Sequence, residues 1–371
     1  MRDTQDGSLM AMTVHARCTC GPREPFKATR IQRRNTGPRD VLIDIAFAGI
    51  CHSDIDHAYS VRGKSTYPLV PGHEIAGTVS AVGTDVSKFR IGDRVGVGNM
   101  VDTCRVCANC LAGLESYCSG GRVMTYNATG RDGQPTHGGY SQKIVVDEDF
   151  VISIPNEIPL AAAAPLFCAG ISVYSPLVHW GAGPGKRVAI LGLGGLGHVG
   201  VQISRALGAH TTVFDLSEAK RADALRLGAD AFRLVGEAAG HADLANSFNL
   251  IVSTVPTNVD LDAYLGLLAL DATFVNLCAP EKPLSLSALS LLNNRRSLAG
   301  TRSGGIRETQ EMINFCAAHN IAAEVELIDA DHIDEAYARL QAGDVRYRFV
   351  IDVATMAKGD AAEPIEFMKS N

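Results

Sequence analysis

The chain has 371 residues, 46% of them hydrophobic and 20% charged, with a formal net charge of −6. Its length suggests about two domains, and the acidic balance argues against a nucleic-acid binder, which normally carries a basic excess. The opening MRDTQDGSLM has no apolar core, and the most apolar stretch, residues 158 to 177, is interrupted by Pro159, Pro165 and Pro176. Neither an export signal nor a membrane span of ~20 apolar residues is therefore expected.

The first half reads as β-rich. DVLIDIAFAGI (40 to 50), IAGTVSAVG (75 to 83) and YSQKIVVDEDFVISI (140 to 154) carry alternating or β-branched runs broken by Gly and Asp turns. Near residue 160 the texture changes. Strand candidates RVAILG, TTVFD, DAFRLV, NLIVSTV, TFVNLCA and SLAGT then alternate with the helical patterns LGHVGVQISRALG, SEAKRADALRLG, LDAYLGLLALD and LSLSALSLLNN. About six strands with intervening helices predict an α/β, doubly wound parallel sheet of the Rossmann type. The predicted domains are 1–161, 162–302, and a segment 303–371 that reads as helix, helix, strand, too little for a third core, and should rejoin the first half.

VAILGLGGLGHVG places Gly192, Gly194 and Gly197 in G-x-G-x-x-G spacing, with Gly195 and Leu196 between, after an apolar strand and at the start of a helix. That context makes a dinucleotide loop: a tight turn, close approach of backbone to pyrophosphate, and helix-to-strand packing. The helix N-terminus offers free N–H groups to the phosphates. Asp215 follows Gly197 by eighteen residues, at the end of the next strand. A carboxylate there can accept from both adenosine ribose hydroxyls and repel a 2′-phosphate, so NAD is expected rather than NADP. The alternative is an Asp capping the helix that begins near Ser217. Lys220 and Arg221 lie close enough in sequence to accept a phosphate.

Ten cysteines without an export signal imply reduced thiols and a cytoplasmic protein. Cys104, Cys107, Cys110 and Cys118 follow a C-x2-C-x2-C-x7-C pattern, open to a disulfide cluster, an iron–sulfur cluster or a metal knot; reduced thiols weaken the first. AGICHSDIDH and PGHEIAGTV set Cys51, His73 and Glu74 beside turn glycines, and Cys168 lies in APLFCAG. Two thiolates and an imidazole would leave a tetrahedral zinc one position for water, substrate or Glu74. Each residue taken singly has an ordinary structural reading, and spacing does not show that they meet.

GICHSD, PGHEIAGTV, the four-cysteine segment, APLFCAGISVYSPL, GLGGLGH and DVRYRFVID, in this order from about residue 12 to 353, resemble the zinc-dependent medium-chain alcohol dehydrogenases, in the cinnamyl alcohol dehydrogenase branch. The resemblance implies a GroES-like catalytic domain with a structural zinc lobe at 100–120, beside the Rossmann-type domain. It implies a catalytic zinc on Cys51, His73 and Cys168, which Glu74 can join, and a structural zinc on Cys104, Cys107, Cys110 and Cys118. It further implies hydride exchange between a small alcohol or aldehyde and a nicotinamide cofactor. In that scheme Ser53 takes the hydroxyl proton, Asp54 orients His73, and Arg348 reaches the pyrophosphate. A homodimer or homotetramer is what the family suggests.

Two positions depart from the branch. The relay of many members ends in a histidine three residues after the Ser; here that residue is Asp56 and the histidine is His57. Most members carry small hydroxyl residues at the position of Asp215 and use NADP. Rival readings are a dehydrogenase of polyols or formaldehyde adducts, an NADP-preferring aldehyde reductase, and a zinc-knot module with a nucleotide-sensing domain. The sequence assigns no role to Cys18, Cys20, Cys278 or Cys316.

Overall fold

The computed structural model describes residues 12–61, 63–235, 238–280 and 282–357. The opening stretch whose polarity argued against an export signal lies outside the described residues. Two compact units divide the chain: 1–167 with 325–371, and 168–324. The expected boundaries thus move. Residues 162–167 stay with the first unit, and the chain returns to it at Val325, not at 303. The helix Ile306–Ala318 explains the second shift: it packs on the helix Ala169–His179 of its own unit through Phe315 and Tyr174, ring centroids 5.6 Å apart.

The first unit is built on a seven-stranded sheet in the order Val325–Asp329, Arg348–Asp352, Asp40–Gly49, Ile75–Val82, Arg94–Val97, Ile152–Ser153, with Lys143–Asp147 also paired to Asp40–Gly49. Asp40–Gly49 is the hub. Its Val41, Ile43, Ile45 and Ala48 are buried, as expected of a strand covered by neighbours on both sides. The run 140–154 forms two strands, Lys143–Asp147 and Ile152–Ser153, broken at its Asp residues as the sequence suggests. Asp147 accepts from the Asp149 amide at 2.9 Å and turns the chain into a short 3-10 helix, Glu148–Phe150, the usual competition of Asp side chains with a ladder. Val325–Asp329 was not foreseen; its alternation is mixed, and only pairing with Arg348–Asp352 makes it a strand.

In the second unit six parallel strands lie in the order Ala231–Leu234, His210–Asp215, Arg187–Leu191, Phe248–Ser253, Leu268–Asn276, Ser297–Gly300. This is the doubly wound order, reversing between the first and fourth strands. The helix expected through Asp271 ends instead at Gly266. Leu268 is fully buried opposite Phe248 and extends the strand back to that point, so tertiary pairing overrides a Leu/Ala-rich helical composition. Val188, Ala189, Ile190, Leu250, Ile251 and Val252 are shielded from water on both faces, and each of the Val, Leu and Ile side chains contributes about 1.5–3 kcal/mol by burial. Among the described residues no single helix is long and apolar enough to cross a membrane.

Candidate active site

Cys51 stands just past the hub strand as the N-cap of the helix His52–Ala58. Asp54, three residues on and fully buried, accepts from the Cys51 amide at 2.9 Å, a reciprocal capping arrangement that pins the first turn. Its other oxygen accepts from the Gly72 amide at 3.2 Å and lies 3.1 Å from His73 Nδ1. One carboxylate therefore holds two loops distant in sequence. Gly72 has φ +105°, and a Cβ there would meet the Tyr140 ring at 2.7 Å, so only glycine makes the turn that delivers His73.

The ligand atoms of Cys51, His73, Glu74 and Cys168 lie within 4.8 Å of one another. Cys168 directly follows Phe167, whose ring packs so closely on Gly96 that a Cβ there would sit at 2.1 Å. Glu74 Oε1 accepts from Arg348 Nη2, while its Oε2 is buried without a hydrogen-bond partner. Burial and the neighbouring Cys51 push the Glu74 carboxyl up to about 7 against the pull of Arg348. Burial opposes charging of His73, but the Asp54 carboxylate and Cys51 outweigh it and hold the imidazole well above its ordinary value. The cluster thus holds an orphan carboxylate oxygen beside two thiols and an imidazole. Two thiols, an imidazole and a carboxylate fit a zinc ion.

Arg348 requires a correction. It was expected at a cofactor pyrophosphate, yet it is 2% exposed and its guanidinium is bonded to Glu74. It stands as the counter-charge of the ligand cluster.

Ser53 is exposed on the first turn of its helix, and Asp56 and His57 follow at helical spacing on the same side. His57 Nδ1 accepts from Asn127 Nδ2 at 2.8 Å, and its ring stands edge-on to Tyr126 at 5.3 Å. Tyr126 also faces the His73 ring at 5.8 Å. The displaced histidine is thus tied to the ring that flanks the ligand cluster; Asp56 is half-buried beside it.

The four lobe cysteines converge as one group, ligand atoms again within 4.8 Å, and none of the chain's ten cysteines is in a disulfide. The backbone is folded to hold sulfur anions. Cys107 caps the helix Ala108–Leu111, its sulfur accepting from the Cys110 amide at 3.5 Å, and Cys104 Sγ accepts from the Cys107 amide at 3.4 Å. The Cys110 amide, then Ser119, pull the Cys107 thiol down to about 5, and amides of Val106 and Cys107 lower Cys104. Burial pushes Cys110 up to about 11. Four thiols with no open position form a structural zinc site.

In the second unit the glycine loop has its expected shape. Gly192 takes φ +92°. A Cβ on Gly194 would meet nothing within 4 Å, and one on Gly197 would strike the Gly192 carbonyl at 1.9 Å. The open face at Gly194 and the ten-residue helix Gly197–Ala206 fit a pyrophosphate. Asp215 is otherwise than foreseen. Its Oδ2 accepts from the Leu193 amide at 2.7 Å and from Lys220 Nζ at 3.2 Å, and its Oδ1 from the Ser217 amide at 3.0 Å. The carboxylate is 7% exposed. It braces the glycine loop and turns the chain at Ser217, but it does not cap the short helix Glu218–Lys220, whose N-cap is Ser217 with no side-chain hydrogen bond.

Sequence reasoning missed Tyr126, Asn127, Tyr140 and the Glu74–Arg348 pair. No spacing signals them; Tyr140 follows a glycine pair in HGGYS, the single local hint.

Comparison with known proteins agrees with this geometry. The alcohol dehydrogenase GroES-like domain matches residues 37–156, and the zinc-binding dehydrogenase domain matches 195–318. NADP-dependent alcohol dehydrogenase C 1 of Mycolicibacterium smegmatis is 56% identical over 345 residues, 93% of this chain and 99% of that protein. The cinnamyl alcohol dehydrogenase SbCAD4 of Sorghum bicolor superposes with a TM-score of 0.91 at 39% identity, covering 94% of this chain and 100% of that one. The CAD of Helicobacter pylori, solved as a complex with NADP(H), gives 0.87 at 41% identity, covering 93% and 99%. With both domains matched in order and both cysteine clusters assembled, the chain belongs to the zinc-dependent medium-chain alcohol dehydrogenases, in the cinnamyl alcohol dehydrogenase-like branch.

Proposed function

We propose that this alcohol dehydrogenase interconverts primary alcohols, aromatic or aliphatic, and their aldehydes with NADP(H) as the preferred cofactor. The observation that carries the cofactor reading is Asp215, whose carboxylate already accepts from two amides and pairs with Lys220, which leaves too few lone pairs for both ribose hydroxyls and offsets the charge that would repel a 2′-phosphate. The expectation of NAD rested on the position of that carboxylate after the glycine loop, and NADP(H) takes its place. The naming of the Mycolicibacterium relative as NADP-dependent and the NADP(H) complex of the Helicobacter protein support the same reading.

Cys51, His73 and Cys168 would hold the catalytic zinc, with Glu74 able to join. When bound, zinc supplies Lewis-acid polarisation of the alcohol or carbonyl oxygen, and the nicotinamide supplies or accepts the hydride. The chain's own residues do the rest. Asp54 fixes the His73 ring. Ser53, two residues from Cys51, is placed to exchange the hydroxyl proton, which His57, held by Asn127, or Asp56 passes on towards solvent. Gly192, Gly194, Gly195, Leu196 and Gly197 cradle the pyrophosphate, and Lys220, paired with Asp215 and 29% exposed, would meet a 2′-phosphate.

The strand Ser297–Gly300 ends its sheet, with Leu270, Leu289 and Leu292 61%, 64% and 72% exposed. That edge favours a homodimer. Ten cysteines outside any disulfide favour a reducing compartment, the cytoplasm.

The test is initial rates of reduction of an aromatic aldehyde such as cinnamaldehyde with NADPH and NADH in parallel. Higher kcat/KM with NADPH supports the reading. Preference for NADH would return Asp215 to the ribose. No rate with either, on protein holding two zincs, would reject the substrate class.

A further inference from the structure

Behind the ligand cluster, three buried side chains from distant parts of the chain meet: Asp54, Tyr140 and Tyr337. Tyr140 Oη lies 3.5 Å from Asp54 Oδ2, a long hydrogen bond, and 3.3 Å from Tyr337 Oη. Tyr140 is wholly buried and Tyr337, on the helix Ile333–Gln341, is 1% exposed. Phe26 covers the pair, its ring centroid 5.9 Å from Tyr140 and 5.2 Å from Tyr337, and Tyr59 closes the side at 6.4 Å from Tyr337. The Phe26 amide is itself anchored to Asp334 of the same helix at 3.1 Å.

Proton bookkeeping fixes the direction of this chain. An ionised carboxylate only accepts, so the Tyr140 hydroxyl donates to Asp54 and has a lone pair left for its neighbour. Tyr337 must then donate to Tyr140. Burial, with the charge of Asp54, pushes both phenols well above their ordinary range, so both keep the protons the chain needs. Hydroxyls in a wholly buried, aromatic-walled pocket cost free energy unless bonded. Phenylalanine would fill the same space without that cost.

Asp54 divides its load. Oδ1 carries His73 and the Gly72 amide; Oδ2 carries the Cys51 amide and the phenol. We propose that Tyr337, acting through Tyr140, locks the rotation of the Asp54 carboxylate so that Oδ1 stays on His73, making Tyr337 a positioning residue for the zinc-ligating imidazole. The inference rests on the proposed zinc role of His73. It joins the helix Ile333–Gln341, late in the chain, to a loop at residue 73, and neither tyrosine touches the reacting atoms.

The experiment measures zinc release to a chromogenic chelator from wild type, Tyr140→Phe, Tyr337→Phe and the double variant. A Cys51→Ser protein identifies the release phase of the lobe zinc. Loss of a hydrogen-bond partner behind a metal ligand typically costs 10–100-fold in affinity; for this long bond the expectation is ~10-fold faster release from the catalytic site in Tyr140→Phe. Tyr337→Phe should move the same phase by a smaller factor, the lobe phase should hold, and the double variant should match Tyr140→Phe, because Tyr337 acts only through it. Cobalt-substituted enzyme should show a shifted visible band in the same variants. Unchanged catalytic-site release, acceleration of both phases together, or multiplying effects in the double variant would overturn the proposal. Should Tyr140→Phe not fold, Tyr337→Phe decides alone. Two zincs in wild type with unmoved release would sink this inference and leave the proposed function standing; a single lobe zinc in wild type would sink both.

Discussion

Glu74 and Arg348 meet where water does not reach, 0% and 2% exposed, and a pair in that setting is expensive to break from one side. Replacing Arg348 by Ala removes the stronger of the two cations, Arg348 and His73, that pull the Glu74 carboxyl down, so its raised pKa, already about 7, rises further. The folded state then binds a proton that the unfolded chain releases above the ordinary Glu value. Stability is therefore lost progressively as pH rises. Urea titrations of Arg348→Ala should show a loss of about 3–5 kcal/mol at pH 8.5 and a clearly smaller one at pH 5; an equal loss at both would contradict the account. Gly197 is constrained more simply. With the Gly192 carbonyl 1.9 Å from where a Cβ would go, Gly197→Ala must push strand and helix apart. An overpacked site of this kind costs about 1–3 kcal/mol, to be read as a lowered Tm together with weakened binding of NADPH by fluorescence titration. A variant with native Tm and affinity would show that the loop yields to a Cβ at this position.

The cysteine lobe is an element with little of its own core: Val106, Leu111, Leu114 and Tyr117 are exposed. Its order depends on amides turned towards sulfur and on the metal that those sulfurs take. Arg105, between two of the ligands at φ +62°, reaches out to Asp102, Asp147 and Asp149 and ties the lobe to the sheet. In zinc-stripped protein the thiols should separate by reactivity. Cys107, lowered to about 5, is a thiolate at pH 6.5, whereas Cys110, raised to about 11, is not. Brief iodoacetamide treatment followed by peptide mass mapping should find Cys107 alkylated and Cys110 spared, with zinc protecting both. Equal labelling would mean that the amide cradle does not survive loss of the metal.

At the level of the molecule, the first unit is discontinuous, and its sheet is completed by Arg348–Asp352 lying on the hub strand. Removing residues 325–371 would strip the hub of one neighbour, take away Arg348 and Tyr337, and leave an open hydrophobic edge. Expression of 1–324 should yield insoluble protein, checked by fractionation of the lysate; a soluble, zinc-loaded product would show that the sheet stands without its late strands. The edge at Ser297–Gly300 leads to a second expectation, a dimer by light scattering that Leu289→Lys with Leu292→Lys shifts towards monomer. An unshifted mass would place any interface elsewhere.

The residue sequence by itself determined the parallel sheet and the glycine loop, because both write their geometry into a short window: apolar runs of strand length, helices between, and glycines where a Cβ has no room. It offered the candidate metal ligands by residue type, but only the resemblance to a known family grouped them into two sets, and only the fold brings each set together. Tertiary structure decided the rest, since the remaining contacts join residues that no local period connects. Glu74 meets Arg348 across 274 positions, and Tyr140 meets Tyr337 across 197. Asp215 shows the limit most clearly. The sequence places a carboxylate at the right distance from Gly197, but hydrogen-bonding groups take the partners that the fold brings near, and the fold brings the Leu193 and Ser217 amides and Lys220.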